Sequence, residues 1–492
     1  MGKYILAIDQ GTTGSTVLLV DKQLRLVAKV NREFPQHFPK PGYVEHDLRE
    51  IWVSVTEALK GALRAGRVKP GDIEAIGITN QRETVAVWER GTQRPVGRAI
   101  VWQDRRTADD CRRLREALLE PLYRARTGLV LDPYFSGTKL AWLLREVPGL
   151  RARAQAGDVC FGTIDSFLVA KLTSGATHVT DVSNASRTLL FDIHKLTWDP
   201  DLLAPLEVPQ AMLPKVVGNA EEVGRTKGVP GLPDGIPIAG MAGDQQAALF
   251  GQACFEAGES KCTYGTGAFL LLNTGPKAVV SARRLLSTVA WRVGGETTYA
   301  LEGSAFIAGA AVQWLRDGLG IIKKAGDIEA LARQVKDSGG VTFVPALSGL
   351  GAPHWRPEAR GLISGLERGT TAAHLARAVL EGIGLSIDDL ARAMAADAGK
   401  PLRSLRVDGG ASANGLLMQL QADLLEVPVE RPRIIESTGL GAAFFAGLAT
   451  GFWKDRSELR AAHKVEKRFV PRMKPAVREG LMARWRVAVE RA

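Results

Sequence analysis

The chain has 492 residues, 45 % hydrophobic and 24 % charged, which is the make-up of a soluble globular protein too long for one core and so expected to hold two or three domains. Most of its net charge of +11 comes from residues 454–492, where 12 Lys/Arg face 5 Asp/Glu with few aromatics between them, so this tail reads as a solvated terminal helix and not a nucleic-acid surface. No apolar run approaches the roughly 20 residues that would insert in a bilayer, Asp9 comes too early for a secretory signal, and Cys111, Cys160, Cys254 and Cys262 form no C-x-x-C pair; a cytoplasmic chain with four buried thiols and neither zinc nor disulfide is expected.

In chain order, residues 3–8 and 16–20 read as strands joined by the turn Gly11-Thr12-Thr13-Gly14, a hairpin. A helix over 48–65, a strand over 73–78 and a helical run over 107–124 give the chain α/β character. The Pro/Gly-rich stretch 229–237 reads as a surface loop. Residues 260–264 and 268–273 then repeat the first design, with Gly265-Thr266-Gly267 as the turn. Helical periodicity follows over 305–319 and 372–396, and a short strand over 405–407 enters the turn Asp408-Gly409-Gly410. The repeated hairpin predicts a duplicated architecture, with domains at 1–250 and 251–492 and a cleft between them.

The segment Ala239-Gly-Met-Ala-Gly-Asp244-Gln245-Gln246 sets one acid at the end of a small-residue run. A carboxylate there is costly unless hydrogen-bonded or ionised for a purpose. Taken alone, Asp244 reads as the N-cap of a helix over 245–250. The glycine turns carry a parallel ambiguity: each is an ordinary hairpin bend or a cradle whose backbone N–H groups converge on phosphate. Asp9, ending the strand before the first turn, is a candidate to hold Mg²⁺, which favours a carboxylate plus phosphates. No P-loop, protein-kinase or dinucleotide signature occurs.

The strings IDQGTTGST, GITNQRET, VWQDRRT, DPYFSGTKLAWLLRE, DVSNASRTLLFDIH, AGDQQAALFGQ, TYGTGAFLLLNTG, GLGAPHW and VDGGASAN, between about residues 4 and 453, resemble the FGGY carbohydrate kinases, and among them the members that act on glycerol. The resemblance implies a two-domain actin-like ATPase (ribonuclease H-like) fold, each domain a mixed five-stranded sheet with helices, closing on ATP and a polyol. It implies Asp244 as the general base; Arg82, Glu83, Tyr134, Asp244 and Gln245 as ligands of the glycerol hydroxyls; and Trp102 and Phe269 as an apolar wall. It further implies Thr12, Thr13, Gly14 and Thr266 at the phosphates, Gly309, Gln313, Gly410 and Asn414 around the nucleotide, and Asp9 with Asp244 at Mg²⁺. Lys139 and Trp142 belong to a signature read as structural. A homodimer or homotetramer is the expected assembly.

Two departures stand out. Thr16 occupies a position where many such members carry an arginine beside the phosphates, and the loop 226–236 lacks the Gly-Gly-x-Arg pattern through which some relatives bind an inhibitory sugar bisphosphate. Rival readings are an FGGY kinase for a pentulose, erythritol or gluconate, a nucleotide-driven clamp or filament protein, and a slow polyol-sensing regulator.

Overall fold

The structure, a computed structural model, describes residues 2–356 and 358–492. Two sheets organise it. The first has six strands in the order Ala220–Arg225, Pro237–Gly243, Ile73–Asn80, Tyr4–Gln10, Gly14–Asp21, Leu26–Glu33. The second has seven, in the order Leu286–Val293, Glu296–Ala305, Ala268–Gly275, Ser260–Tyr264, Leu405–Asp408, Val429–Pro432, Val465–Phe469.

Both sheets contain the same run of pairings. Tyr4–Gln10 is antiparallel to Gly14–Asp21 and parallel to Ile73–Asn80, which is parallel to Pro237–Gly243. Ser260–Tyr264 is antiparallel to Ala268–Gly275 and parallel to Leu405–Asp408, which is parallel to Val429–Pro432. The expected five-stranded sheets are enlarged at their edges: Ala220–Arg225 adds to the first, and Leu286–Val293 and Val465–Phe469 flank the second. Central strands such as Ile73–Asn80 are buried on both faces, as their near-continuous apolar sequence requires.

Helices cover the sheets. Leu48–Gly66 starts at Asp47, whose side chain accepts from the Arg49 N–H, and turns Ile51, Val55, Leu59 and Leu63 inward at helical spacing. Each sheet's equivalent strand runs into a helix, Asp244–Gly251 in the first and Ser437–Ala449 in the second, and these two helices pack on each other. The crossing is close enough that a Cβ on Gly441 would collide with the Ala247 carbonyl. Ser437–Ala449 also covers the first sheet, an excursion that a division of the chain at 250 does not anticipate.

Three sequence expectations need correction. The run 107–124 is two helices, Ala108–Glu116 and Glu120–Thr127, because Leu118 turns left-handed at φ 58° and Pro121 restarts the chain within a helical first turn. Within 305–319, Ala305 completes the strand Glu296–Ala305 and only Gly309–Asp317 is helical, since sheet pairing to Ala268 overrides the local pattern. The tail is not simply solvated: Pro475–Arg491 docks through Leu481, Trp485, Ala488 and Val489. All four cysteines are free and buried. No helix among the described residues is long and apolar enough to cross a membrane.

Candidate active site

Strand register assembles the site. Gln10 and Gly243 both pair with Asn80, so three parallel strands end in one row, and the chain leaving them supplies Gly11–Thr13, Gln81–Glu83 and Asp244 side by side. In the second sheet Thr263 pairs with Asp408, which brings the turns Gly265–Gly267 and Gly409–Gly410 together in the same way. Open α/β sheets place ligands at these carboxyl ends.

Asp244 is the first residue of its helix, with Gly243 as the N-cap; its Oδ1 accepts from the Gln245 N–H at 2.7 Å, so the capping reading is replaced. The helix N-terminus favours its charge. Arg82 Nε lies 3.1 Å from Asp244 Oδ1, and the carboxylate keeps 31 % of its side-chain surface open, enough for a small ligand to approach. Burial pushes the Asp244 carboxyl up, while Arg82 and Lys261 pull it down.

Arg82 is the hub. Its Nη1 and Nη2 donate to the two oxygens of Glu302 at 2.6 and 2.9 Å, a bidentate pair, and Nη2 lies 3.4 Å from the Tyr134 hydroxyl. Glu83 sits beside it, Oε1 3.7 Å from Arg82 Nε, and accepts from Arg187 Nε at 2.7 Å. Glu83 holds a left-handed backbone at φ 61°, which costs on the order of 1 kcal/mol. The Ser136 hydroxyl secures it by donating to the Glu83 carbonyl at 3.0 Å. Arg187 Nη2 also donates to Glu302 at 2.9 Å, and its guanidinium lies over the Tyr134 and Phe135 rings. Burial would raise Glu302, but Arg187 and Arg82 outweigh it and hold its carboxyl at about 2.

Trp102 and Tyr134 meet edge to face at 5.7 Å. Trp102 Nε1 donates to Thr12 Oγ1 at 3.0 Å, which ties this pair to the first glycine turn. Lys139, fully buried, donates to the carbonyls of Pro133, Tyr134 and Phe135 at 2.9, 2.6 and 3.0 Å and so sets the Tyr134 segment. Phe269 pairs with Thr263 and Ser304 in the second sheet. Gln245 bonds Lys261, whose Nζ also donates to Thr263 Oγ1 at 2.8 Å.

Both turns are closed by their own backbone bonds. The Gly11 N–H donates to the Gly14 carbonyl at 2.9 Å, folding the bend that exposes Thr13, while Gln36 Nε2 donates to the Thr12 carbonyl at 3.0 Å. In the second turn, Ala308 and Ala310 N–H groups donate to the Thr266 carbonyl at 2.8 and 3.0 Å, and Gly309 N–H to Gly265 at 2.9 Å. Beside Gly410 an added Cβ would meet nothing within 4 Å, so the cleft is open there. Gln313 stands exposed on Gly309–Asp317, and Asn414 caps Gly415–Leu425 by accepting from the Leu417 N–H. Thr16, in place of an arginine, accepts from Asn31 Nδ2 at 2.9 Å.

Asp9 lies on the same edge, its carboxyl raised to about 7 by burial and by the charge of Asp244. Two carboxylates that repel each other beside a Gly/Thr turn suit a divalent cation. Sequence reasoning missed Arg187, Glu302, Lys261 and Gln246, whose Oε1 accepts from Arg82 Nη1 at 3.1 Å. Their signal was a charge or amide inside an otherwise apolar stretch, such as Tyr299-Ala-Leu-Glu302-Gly, which needs buried partners.

Comparison with known proteins identifies the family. Residues 4–251 match the N-terminal domain, and residues 260–450 the C-terminal domain, of the FGGY family of carbohydrate kinases. The chain is 63 % identical over 492 residues to the glycerol kinase of Myxococcus xanthus, covering 100 % of this chain and 99 % of the relative. A crystal structure of Plasmodium falciparum glycerol kinase with ADP superposes with TM-score 0.93 at 36 % identity, covering 99 % of this chain and 98 % of that one. A xylulose kinase structure from Lactobacillus acidophilus, at 24 % identity and TM-score 0.89 over 99 % of this chain and 97 % of its own, shares the fold.

Proposed function

The chain belongs to the FGGY family of carbohydrate kinases, and from that premise we propose that it transfers the γ-phosphoryl group of ATP to glycerol, giving sn-glycerol 3-phosphate and ADP. The observation that carries the reading is the Arg82–Asp244 contact of 3.1 Å beside Glu83, Tyr134 and Trp102. It joins a partly open carboxylate to an arginine that also neighbours Glu83 and the Tyr134 hydroxyl, with the Trp102 ring against Tyr134.

Glycerol is neutral and has three hydroxyls, so recognition needs several directed hydrogen bonds and a surface for its carbon edge. Arg82 donates to, and Glu83 accepts from, the hydroxyls remote from the reaction; Tyr134 and Gln245 complete the polar side, and Trp102 and Phe269 the apolar side. Asp244 accepts the proton of the terminal hydroxyl as that oxygen attacks the γ-phosphorus, and the bond to the β,γ-bridging oxygen breaks to release ADP. Such transfers depend on positioning and on charge stabilisation. Thr12, Thr13, Gly14 and Thr266 orient the phosphates, while Gly309, Gln313, Gly410 and Asn414 flank the nucleoside. Bound Mg²⁺ supplies charge neutralisation at the phosphates, and Asp9 with Asp244 are the residues that fit it. The domains 1–250 and 251–492 each contribute one side of the cleft.

ADP release by the purified protein, measured against glycerol, dihydroxyacetone, erythritol, xylulose and gluconate, tests the assignment. Glycerol gives the highest kcat/KM; a pentulose or gluconate in that place contradicts the reading.

A further inference from the structure

Glu302 belongs to neither the expected polyol set nor the expected nucleotide set, yet it touches both halves of the molecule. It lies on Glu296–Ala305 in the second sheet and is fully buried. Its partners come from the first half: Arg82 follows the strand Ile73–Asn80, and Arg187 follows the short helix Val182–Ala185. Arg82 is thus held from two directions: Asp244 and Glu83 grip it from its own side, and Glu302 grips it from across the cleft.

The strand carrying Glu302 is also rigidly tied to the second glycine turn. Leu271 pairs with Glu302 and Ala268 with Ala305 in the register of the hairpin that bears Thr266. The same strand continues into Ala308 and Ala310, whose N–H groups close on the Thr266 carbonyl. A shift of that turn on taking up a phosphate therefore carries Glu302 with it, and a bidentate carboxylate moves the guanidinium that it holds.

We propose that Glu302 is a positioning residue that couples nucleotide occupancy in the second half to the polyol-binding geometry of Arg82 in the first, with Arg187 as the brace that ties Glu302 to Glu83. The inference rests on the assignment of Arg82 to the polyol pocket. Coupling of this kind is reciprocal, so each ligand tightens the other by the same factor.

The test is glycerol affinity, measured by calorimetry with and without magnesium and the β,γ-imido analogue of ATP. The wild-type ratio is expected to be about fivefold or more, falling to about one in Glu302→Gln. Glu302→Gln leaves two buried guanidiniums short of charge, so Glu302→Gln/Arg187→Gln restores the balance, and a cooperative melt verifies its fold. A purely structural role predicts that the double variant regains the wild-type ratio; the coupling role predicts that it does not. The wild-type ratio retained in either folded variant, or a ratio of one in the wild type, overturns the proposal. Arg82→Ala separates the two levels of the argument. Unchanged glycerol affinity there ends the pocket assignment itself, whereas weakened affinity alongside intact coupling in Glu302→Gln ends only the role of Glu302.

Discussion

The two sheets share one pattern of strands and differ in what stands beside the Gly/Thr turn that both carry. In the first, the parallel strands run out into Gln81–Glu83 and Asp244, a dense set of charges around an arginine. In the second, the corresponding ends are glycine turns, Gly265–Gly267 and Gly409–Gly410, with free space beside Gly410. A duplicated scaffold offers two equivalent sets of strand ends; both carry a Gly/Thr turn, Gly11–Gly14 and Gly265–Gly267, and the first sets Arg82, Glu83 and Asp244 beside its own. The division is crossed at many points, among them the Tyr299 hydroxyl donating to the Ile193 carbonyl and an apolar cluster drawn from both halves. Glu302 reaches from the second half into the charge cluster, and the helices Asp244–Gly251 and Ser437–Ala449 meet.

The strongest way to break this comparison is Asp244→Asn. It removes the proton acceptor from the first half alone, so turnover falls about 10²- to 10⁴-fold, while the KM for ATP changes much less; near wild-type turnover in a steady-state assay would remove Asp244 from its role. In the second half, Gly309→Ala is the matching probe, because its Cβ would sit 2.6 Å from the Gly265 carbonyl and force the turn to shift. Its expected effect is a rise of about 10- to 100-fold in the KM for ATP. An equal rise in the KM for glycerol would show that the halves do not divide the labour.

Trp102→Ala sharpens the boundary from the other side. Loss of the wall weakens glycerol binding about tenfold, with a smaller loss of nucleotide affinity through the broken bond to Thr12; equal losses in the two binding constants count against Trp102 as wall. Thr16→Arg is the mildest change. One added cation near the first turn raises ATP affinity about two- to fivefold at low salt, and titrations that show no gain would mean that the position does not face the phosphates.

Much of the frame was legible in the residues because both hairpins announce themselves locally, by apolar strands around a Gly/Thr bend. The helix break at Leu118 was partly legible, since Pro121 favours a new first turn, whereas the periodicity around it does not reveal a left-handed residue. The strand ending at Ala305 was hidden, because its pairing with Ala268 is a tertiary choice. At the site, Asp244 came forward from its own small-residue segment and Arg82, Glu83, Trp102 and Tyr134 only by resemblance, and the structure brings these side chains into contact. Arg187 and Glu302 stayed out of view for a physical reason: a buried charge is explained by its partners, and those of Glu302 lie 220 and 115 residues away in the chain.

The most direct test is a crystal structure with glycerol, magnesium and the β,γ-imido analogue of ATP bound together. The account predicts the terminal glycerol hydroxyl within about 2.6–3.2 Å of the Asp244 carboxylate, its oxygen in line with the γ-phosphorus, and Arg82 and Glu83 on the remaining hydroxyls. Glycerol bound elsewhere, or an Asp244 carboxylate turned away from the attacking oxygen, would contradict it.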